Sequence, residues 1–107
     1  MKISLKEMSE IVAQASDLFI EKHKDIGTAM GIIDQALRKQ GIPADGVTID
    51  CLVQKKKIVF FLHDSKPDSV EIALGNKEGD IFSSKQYLRK DLDANKILEI
   101  LEESFTV

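Results

Sequence analysis

The chain has 107 residues, 43% of them hydrophobic and 31% charged, with a net charge of −3. That length suits a single domain over residues 1–107 that buries one core without disulfides or metal, and the mild acidity argues against a general nucleic-acid or anionic-membrane surface. No apolar run approaches the length needed to span a bilayer, residues 1–7 lack the uninterrupted apolar stretch of a signal peptide, and the lone cysteine, Cys51, has no internal partner, so the expected home is the reducing cytoplasm.

Residues 4–23 place Leu5, Met8, Ile11, Val12, Ala15, Leu18 and Phe19 at steps of three and four, with Lys6, Glu7, Glu10, Asp17 and Glu21 on the other side. This is the period of an amphipathic helix. Ser4 is the expected N-cap, and Glu7 completes a capping box. From about residue 25 to 40, Ile26, Ala29, Met30, Ile33, Ala36 and Leu37 repeat the spacing, and Arg38, Lys39 and Gly41 supply a helix ending. The expectation is therefore a helical hairpin over residues 1–40. Gly27 and Gly31 each cost such a helix about 1 kcal/mol relative to alanine and are read as points of close packing. With no strand before them, a phosphate-cradling turn is not indicated.

Residues 47–88 read as an antiparallel meander of four strands. Ile58, Val59, Phe60, Phe61 and Leu62 form an uninterrupted apolar run, which marks a central strand. A turn over residues 54–57 pairs Val53 with Ile58, Cys51 with Phe60 and Ile49 with Leu62. A turn-rich stretch over 63–69 pairs Leu62 with Val70, Phe60 with Ile72 and Ile58 with Leu74. A last turn over 76–79, with Gly79 as its left-handed residue, sets Phe82 opposite Leu74 and Glu71 opposite Lys85. In this register Val47, Ile49, Cys51, Val53, Ile58, Phe60, Leu62, Val70, Ile72 and Leu74 share one face. Residues 83–86 are polar, which suits a protected edge strand. Asp91 or Asp93 then caps a C-terminal helix within 91–105, whose stripe is Ile97, Leu98, Leu101 and Phe105.

The same register gathers Leu52, Val59, Phe61 and Ala73 on the reverse face, ringed by Thr48, Asp50, His63, Glu71 and Lys85. An apolar patch of this kind marks a partner surface unless a helix covers it. Cys51 and His63 point to opposite faces, so they make no nucleophile and base pair, and the adjacent His63, Asp64 and Ser65 form a triad in letters only. Two distant histidines and one cysteine have no zinc-site spacing, so neither a metal nor another cofactor is expected. No catalytic residue is assigned. Asp50, beside apolar surface and diagonal to His63, is the one carboxylate outside a helix face that suggests a ligand contact. Lys55, Lys56 and Lys57 form a candidate anion site, but no stacking aromatics or recognition helix accompany them.

The sequence thus predicts a two-layer α+β domain of order ααββββα, its antiparallel four-stranded meander packed against helices. The expected function is that of a small non-enzymatic interaction or regulatory module, homodimeric through Leu52, Val59, Phe61 and Ala73. A small-ligand-binding domain or enzyme with a pocket near Asp50 and His63 is the second reading. A weak nucleic-acid binder acting through Lys55, Lys56 and Lys57 is the third.

Overall fold

A computed structural model describes residues 5–33, 35–76, 78 and 80–106. The expected N-cap, Ser4, and the turn residues Lys77 and Gly79 lie outside them. Helix α1, Leu5–Lys22, is followed by strand β1, Thr28–Ile33, and a single helical turn, α2, Ala36–Lys39. Strands β2, Ala44–Cys51, β3, Lys56–His63, β4, Ser69–Asn76, and β5, Ile81–Leu88, follow in turn. A 3-10 turn, Arg89–Asp91, then leads into helix α3, Ala94–Phe105. The five strands form one antiparallel sheet in the order β1-β2-β3-β4-β5.

The second helix of the expected hairpin is therefore mostly a strand. Its apolar residues fit a helical spacing over a short window only, while Thr28, Ile32 and Ile33 are β-branched and two glycines weaken any helix. The segment pairs with β2 along its whole length and extends the sheet by one strand. Gly31 is also needed for the approach, since a Cβ there would stand 2.9 Å from Thr48 Oγ1. Ser16 Oγ on α1 and Thr28 Oγ1 share a hydrogen bond of 2.9 Å, tying the helix to the new edge strand. Only the end of the expected helix survives: Gly41, at φ 84°, stands just past the α2 turn in the left-handed region.

The core lies on one side of the sheet. Met8, Val12, Ala15 and Phe19 of α1 and Ile97, Ile100, Leu101 and Phe105 of α3 are buried against Val47, Ile49, Cys51, Ile58, Phe60, Leu62, Val70 and Ile72, with Leu74 at the margin. This is the inner face expected from the period-two pattern. Asp93, not Asp91, caps α3, its Oδ1 accepting from the Lys96 amide at 2.8 Å. Phe19 meets Phe105 edge to face at a centroid distance of 5.9 Å, which fixes α1 against α3.

Glu102 closes the same junction. It accepts from His23 Nε2 at 2.8 Å and Lys22 Nζ at 3.0 Å. Those two partners, His23 first, hold its carboxyl below the ordinary glutamate value of 4.5. A carboxyl lowered by folding stabilises the fold above that ordinary value and loses the contribution as pH falls through its folded value. Glu102→Gln is thus expected to lower the melting temperature near neutrality and to converge with the parent protein in acid. Parallel melts across that range check it, and a difference that persists unchanged into acid overturns it.

Two registers differ from those expected. Cys51 pairs with Lys56, Ile49 with Ile58 and Val47 with Phe60, because the turn comprises Leu52, Val53, Gln54 and Lys55 and begins two residues early. Lys55 takes a left-handed φ of 56°, and its amide bonds Cys51 O at 3.1 Å. The slip is an even number of residues, so the faces are preserved. Val53 leaves the core face and is exposed in the turn. Between β4 and β5 a bulge at Leu74/Gly75 pairs Leu74 with Ser83 and Glu71 with Gln86. This odd shift moves Lys85 to the helix side, opposite Ile72, and leaves Phe82 exposed.

Candidate interface on the uncovered sheet face

α1 and α3 both pack on the inner face, so the reverse face of the sheet carries no helix among the described residues. Its composition follows from the ladder. One cross-strand row runs Gly31, Thr48, Val59, Ala73 and Ser84, and the next runs Ile33, Gly46, Phe61, Glu71 and Gln86. Val59, Phe61 and Ala73 therefore stand together, as the alternation predicts. The small residues Gly31 and Gly46 flank them on the neighbouring strands. Phe61 is steadied by His63, stacked at 5.8 Å, and His63 Nε2 donates to Glu71 Oε1 at 2.7 Å.

Leu52 does not join the patch. It lies beyond the end of β2 in the hairpin turn, 64% exposed. Three residues missing from the sequence reading share this face instead: Ile33 opposite Gly46, Ile81 opposite Gly75 and Leu88 opposite Ser69. The signal for Ile33 was present in the alternation of Gly31 and Ile33. Nothing in the alternation announces the bulge that turns Leu88 to this side.

The candidate ligand pair is also separated. Asp50 pairs with Lys57, whose Nζ stands 3.7 Å from Asp50 Oδ1, while His63 pairs with Ala44. Six residues of extended chain, about 20 Å at about 3.3 Å per residue, lie between the two positions. Cys51 is buried and faces the helices, away from His63.

The three lysines do not act as one patch. A hollow of about 410 Å³ is lined by Asp50, Cys51, Leu52, Lys55, Lys56 and Lys57, but Lys56 Nζ donates to Ser104 O at 3.0 Å and Lys57 is turned to Asp50 on the other face. Gln54 Nε2 also donates to Phe105 O, at 2.6 Å. The hairpin thereby caps the carbonyl end of α3, where cations and donors are favourable. At the opposite end of the sheet Arg38 is bidentate to Asp45, at 3.0 and 3.2 Å, and to Asp64, at 2.9 Å twice. Asp64 and then Asp45 raise its guanidinium pKa further above the ordinary value. That charge is structural, binding α2 to β2 and to the end of β3.

Among the described residues no group of three or more His, Cys, Asp or Glu side chains is placed to hold a metal ion, and no helix is long and apolar enough to cross a membrane. Comparison with protein-family models, with curated proteins and with solved structures finds no match for this chain.

Proposed function

We propose that this chain is a small, non-enzymatic interaction module that dimerises through the uncovered face of its sheet. The observation that carries the reading is the grouping of Val59, Phe61 and Ala73 on adjacent strands of a face to which neither α1 nor α3 contributes. A second copy suits this surface because a two-fold pairing can pack each Phe61 against the Val59 and Ala73 row of the other. The flanking carboxylates each have a partner on the same face, Glu71 accepting from His63 and Asp50 lying beside Lys57. A buried, core-facing Cys51 is in keeping with a cytoplasmic, reducing setting.

The size of the face sets the strength. Five strands spaced at about 4.8 Å and about eight residues long at about 3.3 Å each outline roughly 600 Å². Two such faces bury about 1,200 Å², the lower edge of stable interfaces. The dimer should accordingly dissociate on dilution. Light scattering is expected to show a mass that rises from one chain to two with concentration, and Phe61→Glu should hold the protein at one chain throughout with an unchanged circular dichroism spectrum. A parent protein that stays monomeric into the high micromolar range rejects the reading.

A further inference from the structure

β5 is the strand that the helices leave most open. As the last in the sheet order it pairs on one side only, so alternate amides and carbonyls along its free edge face away from β4. On the helix side, Ser83, Lys85 and Tyr87 border a groove of about 290 Å³, with Ile72 and Leu74 along its floor and Ile100 and Glu103 of α3 on the far wall. Lys85 Nζ rests 5.4 Å from the Tyr87 ring centroid and, among the described residues, meets no carboxylate within ion-pair reach. Free backbone, an apolar hollow beside it and an unneutralised lysine between the two are the elements by which a sheet edge recognises an added strand.

We infer that β5 takes an extended segment of a partner polypeptide as a sixth strand, with an acidic side chain set against Lys85 and apolar side chains two residues to either side closing over Tyr87 and the groove. Main-chain bonds supply the affinity, and the charge with its flanking apolar side chains supplies the register and the choice of partner. A second copy of β5 fits this edge poorly. Antiparallel pairing centred on Lys85 sets lysine against lysine. Centred on Ser84, it sets Ile81 opposite Tyr87, residues that the bulge has turned to opposite faces. Centred on Gln86, it engages only Ser84–Leu88. The other edge of a second copy, β1, carries no acidic side chain, so the acidic segment belongs to a different chain, and the site is separate from the face that carries Phe61.

The test uses the full chain and two capped peptides, Thr-Ile-Thr-Glu-Thr-Ile-Thr and the same sequence with lysine for glutamate. Titration of the glutamate peptide is expected to shift backbone amides of Ile81–Leu88 and leave those around Phe61 in place. Lys85→Glu should weaken this peptide about tenfold and strengthen the lysine peptide in return, as a cross-strand charge swap requires. Lys85→Gln, which leaves the strand polar, should bind the two alike. Absence of β5 shifts with the glutamate peptide, shifts confined to the Phe61 face, or a peptide preference indifferent to residue 85 overturns the proposal. Phe61→Glu separates this proposal from the dimer: it should abolish the dimer and leave peptide binding intact.

Discussion

Truncating Phe60 to alanine is expected to lower the free energy of unfolding by about 3–5 kcal/mol, against about 5–15 kcal/mol for an ordinary domain. Phe60 is fully buried on the central strand, paired with Val47 on one side and Ile72 on the other. Residues of both α1 and α3 join it in one cluster, so neither layer can close the cavity without parting from the other. Phe61, one residue along, points to the face without helices and is only partly buried. Phe61→Ala should therefore cost about 1 kcal/mol, chiefly the loss of partial apolar burial. Urea unfolding of the two variants at a concentration where the protein is monomeric makes the comparison. Equal costs would mean that the sheet has no inner and outer face.

Gly75→Ala is expected to destabilise by about 2–3 kcal/mol, although it adds one methyl group at the rim of the sheet. An ideal Cβ at Gly75 would lie 2.2 Å from Asp80 O, 3.1 Å from Asp80 C and 3.3 Å from Ile81 Cα. All three are backbone atoms, which cannot step aside as a flexible side chain can. The close approach belongs to the bulge, where Leu74 pairs with Ser83 and Gly75 with Ile81. Relief requires the bulge to open, so faster amide exchange along β5 should accompany the loss of stability. Gly46→Ala is the control, because the nearest atom to its added Cβ is Phe60 O at 3.5 Å, an ordinary contact. If Gly75→Ala is as mild as Gly46→Ala, the β4–β5 register is wrong.

Glycine and β-branched residues mark where reading from sequence fails and why. Residues 28–33 satisfy a helical period over one turn and a strand period over their length, and six residues are too few to separate the two. The β-branched Thr28, Ile32 and Ile33 favoured a strand, and the two glycines disfavoured a helix. Their weight becomes clear only once β2 offers an open edge to pair with. At the candidate interface, Val59, Phe61 and Ala73 were legible because strict alternation assigns them to one side. Leu52 was misplaced because its side depends on where the hairpin turns, and that is decided by Lys55 in a left-handed conformation and by the donors Gln54 and Lys56 reaching the end of α3.

Periodicity by itself determined that an amphipathic helix precedes a meander, that another helix follows it, and that Val47, Ile49, Ile58, Phe60, Val70 and Ile72 share the inner face. A pattern of period two is unchanged by sliding one strand past another by two residues or four. The β2–β3 pairing was therefore open until the turn closed it, just as β5 needed a bulge to set its phase. Which side of the sheet the helices take is likewise a property of the packed chain. α1 and α3 meet through Phe19, Phe105 and Glu102 on a single side, and that choice leaves Val59 and Phe61 without a helix over them.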